Sequence, residues 1–512
     1  MCAKDIRPFS IVQGVGFKAL AAKLVSLGVK YGTLDVDDAL PSERTVSRHV
    51  EDVAARNKDK LKNELLSQWR IAITCDMWTH EATNAPYITV TRHYINERWE
   101  LCARVLATHV TEDRKTAENI KVVVNKILEE FGAVRPNNFY VTDNGDNIKA
   151  AFHDQVWQGC CGDNINLAVS HTLQRKTSKH ETEAVLDDEV VEIRTLVNVC
   201  KDIVTRVKRT QLQHELTTTL KQSVATRWNS TLFMMQSVAD NLEQLKSTPD
   251  HTQQKLLLDQ DEELLKEAVK VLKHLDVATR LLSSDQMPTL HLVVPVRHNL
   301  ITNLMVADDD SEAIKGLKSM LIQQLDTYYV INDLHDIAAI LDPHLKHNNS
   351  VIPADRRDVA LNSIRRMMAE VPTSLEEETK SSMKGSVTSV TDSERLPAKK
   401  ARLETRTSET RSFFGDLYQF SSAATSQDEL DIYMECPDVS ENVLHFWSSI
   451  GHMWPKLASV VRVILAIPAT ETSSERVFST AGRILKERRT QLKGDSVDNL
   501  MFLHGLKSQR IQ

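Results

Sequence analysis

"WRIAITCDMWT" (Trp69–Thr79) is the stretch on which the fold turns. A β-prone run, Ile71 to Cys75, ends at Asp76, and a carboxylate in that position leaves the sheet and faces solvent or a cation. Downstream, "APYITVTRHYINERWELCARVLATHV" (85–110) reads as two more strands around an "NERW" turn. Alternation puts Tyr87, Thr89 and Thr91 on one face, with Ile88, Val90 and Arg92 on the other. "TAENIKVVVNKILEEFG" (116–132) has the apolar spacing of an amphipathic helix closed by Gly132. "NNFYVTDNGDNIKAAF" (137–152) is then a strand, a loop and a helix. Three strands, a helix and another strand make a small α/β core.

Upstream, residues 5–68 read as helices with one break, the second starting near Pro41 and Ser42. From 178 to 345 the chain is mostly helical, clearest in "EAVLDDEVVEIRTLVNVCKDIVTRVKR" (183–209) and "DEELLKEAVKVLKHLDVATRLLSS" (261–284). That length exceeds any loop of a small domain and predicts an inserted helical domain. Residues 371–411 are poor in large apolar residues and rich in Ser, Thr, Glu and Lys, the composition of a disordered linker.

The 512 residues carry a formal net charge of −7, so the chain as a whole lacks a histone-like field and any contact with nucleic acid needs a local basic surface. Seven irregularly spaced cysteines fit a reducing compartment better than a disulfide scaffold. No apolar run reaches the length of a membrane span; "LASVVRVILAIP" (457–468) is short and contains Arg462.

A second strand-end acid, Asp143, follows "FYVT" as Asp76 follows "AITC". If the two strands are neighbours, the carboxylates lie side by side, a costly pairing unless they are separated, hydrogen-bonded or bridged by a cation. A helix cap or a turn at "TDNGDN" explains Asp143 equally well on pattern alone. Glu475, in "TSSERVFS", would close an all-oxygen set suited to Mg²⁺ if its helix packs on the sheet.

At these residues the chain resembles the hAT transposase superfamily, in particular its domesticated BED-finger relatives. The matching pieces run in order: "DIRPFSIVQGVGFKAL", "ITCDMWT", "FYVTDNGDNIKAAF", "INLAVS", "TRWNS", "AILDPHLK" and "IPATETSSERVFSTAGRILKERRTQLKGDSVDNLMFLHGL". The resemblance implies an α/β ribonuclease-H-like core interrupted by a large all-α insertion, with helical N- and C-terminal regions. The corresponding divisions are a helical N-terminal region (1–68), the first part of the core (69–177), the helical insertion (178–370), a flexible linker (371–425) and a C-terminal dimerisation region that completes the core (426–512).

It further implies that Asp76, Asp143 and Glu475 bind divalent metal, Mg²⁺ or Mn²⁺, for phosphodiester cleavage and strand transfer. Trp228 would stack on a displaced base, with Arg227 beside it on nucleic acid; packing is the competing reading of a tryptophan among Leu232, Phe233 and Met234. Arg483, Lys486, Arg488 and Arg489 would contact phosphate, or form a solvated helix face. Lys399, Lys400 and Arg402 in "LPAKKAR" read either as a nuclear import signal or as solvated charge.

Two departures stand out. Where the family carries a Cys-x-x-His pair, this chain has Cys161 and Asn164, and an amide lacks imidazole's titration and metal preference. Only Cys2 precedes residue 75 and no histidine precedes His49, so no structural zinc finger is expected there. The expected function is a nuclear, DNA-associated, homodimerising protein derived from a transposase. An active transposase and a protein-interaction scaffold without DNA chemistry are the alternatives. A homodimer or larger even-numbered oligomer is expected. Its contact draws on the apolar residues of 440–506, which a single fold would otherwise use as core.

Overall fold

A computed structural model describes residues 9–33, 35, 40–66, 68–80, 84–111, 114–174, 190–224, 226–247, 262–372, 428–437, 442–472, 476 and 493–508. Residues 1–58 form one compact unit and residues 59–512 another.

In the first unit, α1 (Val15–Tyr31) buries none of its side chains and stops at Gly32, whose φ of 79° suits a residue without a Cβ. The expected start at Ser42 is found: its Oγ accepts from the Thr45 N–H at the head of α2 (Glu43–Leu66).

In the second unit, one five-stranded sheet has the order β3-β2-β1-β4-β5, from β1 (Ala72–His80), β2 (Ala85–Ile95), β3 (Leu101–Val110), β4 (Phe139–Thr142) and β5 (Val156–Gly159). The β1–β2 and β2–β3 pairs are antiparallel; β1–β4 and β4–β5 are parallel. Between β3 and β4 runs α3 (Ala117–Glu130), capped by the Thr116 hydroxyl and burying Ile120, Val124, Ile127 and Leu128. Those four side chains contribute roughly 6–12 kcal/mol of gross apolar burial. Gly132 ends the helix at φ 58°.

Two strand features escaped the pattern. "VWQG" is too short and mixed to announce β5, which exists because its backbone pairs with β4. β1 does not stop at Asp76 either; it pairs with β2 as far as His80, and only its parallel pairing with β4 ends early, at Thr74. Asp76 is thus inside a strand on one side and beyond the ladder on the other.

After α4 (Asp146–Ala151) and β5 comes α5 (Cys161–Leu173). A helical body follows: α6 (Val191–Arg209), α7 (Trp228–Ala239), α8 (Leu242–Ser247), α9 (Glu262–Leu282), α10 (Val293–Asn303), α11 (Glu312–Tyr328), α12 (Asp333–Ile340) and α13 (Ala354–Glu370). One continuous core joins this body to Ala72, Phe139 and Val141 of the sheet. The linker proposed for 371–425 lies, beyond residue 372, outside the described residues.

The chain returns as α14 (Glu429–Glu435), α15 (Val443–Ile450), α16 (Pro455–Ile464) and α17 (Gly494–Ser508). Phe446, Trp447, Trp454, Leu457, Val460, Val461, Ile464 and Leu465 are all buried in the same core. Trp447 Nε1 donates to the Leu341 carbonyl and the Tyr433 hydroxyl to that of Ile340, tying α14 and α15 to the end of α12. Most of the apolar surface that a partner was expected to share is therefore internal. α17 lies against β3, with Val497, Met501 and Phe502 buried and Leu500, Leu503 and Leu506 half-buried.

Candidate carboxylate site

The parallel β1–β4 register sets Ala72 opposite Phe139 and Thr74 opposite Val141. Continued by two residues, it brings Asp76 level with Asp143 on one face of the sheet. Asp76 is 7% exposed, sits opposite Thr89 of β2, and accepts the Met77 N–H at 2.5 Å. Asp143 is half-buried just past β4, its Oδ1 accepting from the Gly145 N–H at 3.1 Å. Asp143 is a strand-end carboxylate as the sequence suggests, whereas Asp76 lies within β1 and is level with it only by continuation of the β1–β4 register.

A third acid, Glu471, is 7% exposed and acts with Asp76 and Asp143 on Cys75. Burial raises the Cys75 thiol well above its ordinary pKa, and the negative charges of Glu471, Asp76 and Asp143 raise it further. Three carboxylates therefore act on one buried sulfur. Sequence reading fixed on Glu475 and passed over Glu471, four residues earlier in "PATETSSE". The usable signal was the apolar run up to Ile467, which has to dock before any acid behind it is positioned.

The docking is specific. The Cys161 N–H at the start of α5 donates to the Ala469 carbonyl at 2.9 Å. The Ala469 N–H donates to Thr289 Oγ1, and Thr470 Oγ1 to the Leu282 carbonyl. Arg476 pairs with Asp285 and donates to the Ser283 carbonyl at 3.1 Å. A segment far along the chain is stitched to the head of α5 and the loop after α9.

Asn164, where the resemblance implies a histidine, accepts from Asn144 Nδ2 at 2.8 Å, and the same amide donates to the Cys160 carbonyl. Asn164 thus holds the residue next to Asp143 rather than offering a basic nitrogen. Gly159 keeps this arrangement open, because a Cβ there would lie 2.2 Å from Asn144 Oδ1. Gly159→Ala is expected to cost about 1–3 kcal/mol by forcing Asn144 off both partners. Adding Asn144→Ala should recover part of that cost, since the clashing atom is gone. Urea denaturation of the single and double variants checks it; fully additive losses would reject the clash.

Cys160 and Cys161 are buried, and burial pushes the Cys161 thiol up to about 12. Among the described residues, no three His, Cys, Asp or Glu side chains form a group able to hold a metal ion. The pair Asp76 and Asp143 nonetheless has the chemistry of a hard-cation site: oxygen donors only, like-charged, on neighbouring strands. Glu475, the expected third ligand, lies outside the described residues, as do Arg483, Lys486, Arg488, Arg489, Lys399, Lys400 and Arg402.

Trp228 is described, and the residue is 4% exposed within the helical core. Its backbone N–H donates to Asn166 Oδ1 of α5, while the preceding Arg227 is exposed. In this conformation the structure favours the packing reading; stacking on a base would require the ring to be uncovered.

Three family descriptions match. The Hermes transposase DNA-binding domain matches residues 1–45, the ZBED1 RNase-like domain residues 74–159, and the hAT family C-terminal dimerisation region residues 429–506. The chain is 29% identical over 352 residues to the transposable element Hobo transposase of Drosophila melanogaster, covering 67% of this chain and 52% of that protein. It is 25% identical over 515 residues to zinc finger protein 618 of Mus musculus, covering 98% and 50%. With a putative AC transposase of Zea mays the identity is 23%, covering 90% and 60%. The chain spans about half to three fifths of the length of these relatives.

Proposed function

This chain belongs to the hAT superfamily of transposase-derived proteins, with BED-finger proteins among its relatives, and from that premise we propose that it is a domesticated, DNA-associated, homodimerising nuclear protein. The observation that carries the reading is one chain with matches, in order, to a DNA-binding domain, an RNase-like core and a dimerisation region. Its test is light scattering and DNA gel shift on the full chain. The expected results are a dimer mass at tens of micromolar and retarded duplex. A folded monomer that leaves duplex unshifted at low salt would reject both parts.

For location, replacing Lys399, Lys400 and Arg402 with alanine should reduce nuclear accumulation of the tagged chain if "LPAKKAR" is the import signal. Unchanged accumulation removes the segment from that role.

A second reading, metal-dependent DNA cleavage and strand transfer, is favoured by Asp76 and Asp143 each lying two residues beyond the last paired residues of β1 and β4, Thr74 and Val141. In it these two carboxylates, with Glu475, would hold Mg²⁺ or Mn²⁺. The bound metal would supply Lewis acidity at a phosphodiester. The chain's own part is to hold the carboxylates: Met77 N–H orients Asp76, Gly145 N–H orients Asp143, and Asn164 fixes the intervening loop through Asn144.

A further inference from the structure

At the end of the sheet where β1 begins and β2 finishes, away from Asp76 and Asp143, lies a cavity of about 470 Å³. Among the described residues, Arg70, Arg92, Arg98 and Arg462 line it against two acids, Glu64 and Glu97. Arg70 is neutralised by its ion pair with Glu370. Arg92 is not matched in this way. It is 2% exposed, and its Nη1 has no hydrogen-bond partner among the described residues. Directly across the ladder from it stands another cation, Arg104 of β3. Arg462 has a buried Nε that also lacks a partner among the described residues, and its Nη2 donates to the Glu97 carbonyl at 3.4 Å.

Aromatic faces hold both guanidinium planes. The Arg92 Cζ lies 4.0 Å from the Tyr94 ring centroid, and the Arg462 Cζ lies 4.6 Å from that of Trp99. Stacking of this kind fixes a guanidinium without using its N–H groups. What remains is a pair of buried guanidinium N–H groups without acceptors among the described residues, on two residues that line a cavity with excess positive charge. Burying a guanidinium N–H with no acceptor is costly, and burial duly lowers the Arg92 pKa from its ordinary value, with Glu64 opposing the shift and Arg104 adding to it.

We propose that this cavity binds an oxyanion of the phosphate class, held by Arg92 and Arg462. A phosphate group supplies several acceptor oxygens in the geometry that guanidinium forks match, and a cavity of this size admits inorganic phosphate or a small phosphate monoester. The site is separate from the carboxylates and does not depend on DNA cleavage, so Asp76→Asn should leave it intact.

The test is thermal unfolding of the full chain in potassium phosphate against potassium chloride at equal ionic strength. Phosphate should raise the midpoint progressively with concentration, as a ligand of the folded state does. Arg462→Met, which keeps the stem over Trp99, should weaken the apparent phosphate affinity about tenfold. Arg92→Met should abolish the response if it folds; if it does not fold, the Arg462→Met result decides. No difference between phosphate and chloride, or a native response in a folded Arg462→Met variant, overturns the proposal. A duplex without terminal phosphates separates the two sources of the ligand. Competition with inorganic phosphate assigns the site to a DNA backbone group, and undisturbed phosphate binding assigns it to a free phosphate compound.

Discussion

Asp76→Asn should raise the melting temperature of the chain in EDTA and, on the metal-dependent reading proposed above, should remove the further rise expected of the native protein in Mg²⁺. Asp76 is 7% exposed, lies level with Asp143, and shares with Asp143 and Glu471 an electrostatic influence on the Cys75 thiol. Without a cation, such a set pays for its mutual repulsion and desolvation. Asparagine removes one charge and keeps an oxygen for the Met77 N–H, so it should gain about 1 kcal/mol in EDTA. On that reading the order should reverse with Mg²⁺ present, because only the native chain would keep the full set of carboxylates for the ion. If the native chain nicks DNA in Mg²⁺, the variant should do so at least about 100-fold more slowly. A fall in the EDTA midpoint, or an equal Mg²⁺ response in both proteins, would sink the metal reading even if no nicking were ever seen. Magnesium is therefore tested on stability before it is tested on activity.

Legibility followed the range of the interactions. The helix over 117–130 was visible because its apolar spacing, its Thr116 cap and its closing Gly132 all lie within one short segment. Asp76 and Asp143 were visible as strand-end acids, but their common level was not. It depends on β1 and β4 pairing across the whole of β2, β3 and α3. Glu471 was missed for the same reason: its position is set by contacts from Ala469 and Thr470 to Thr289 and Leu282, none of which leaves a local pattern. The arginine cavity is harder still to read, since Arg92 sits in a strand whose alternation suggests one exposed face. β2 is in fact covered on both sides, with Tyr87 through His93 all buried. Trp228 shows the opposite case. The resemblance put it on a displaced base and its apolar neighbours in sequence pointed to packing; in this conformation it is buried in the helical core.

Met501→Asp should cost about 3–5 kcal/mol. Met501 is 2% exposed and packs with Val497 and Tyr87, with Trp78, Ala85 and Val110 at the border of the cluster. An aspartate there would be desolvated with no cation among those neighbours. The same helix is held by Asp498, whose Oδ1 accepts the Thr108 N–H at 2.7 Å, so releasing α17 also strips a partner from the backbone of β3. This bears on assembly. A chain shortened before residue 496 would lose Val497, Asp498 and Met501 together, and a monomer produced that way would report damage to β3 as readily as loss of an interface. Leu503 separates the two effects, being half-buried on the same helix. Leu503→Ser should melt within about 1 kcal/mol of the native chain, so any drop in light-scattering mass can be charged to association. Circular dichroism melts on both variants provide the check. A Met501→Asp chain as stable as the native one would mean that α17 does not dock on the sheet in solution, and residues 494–508 would then be free to serve a partner instead.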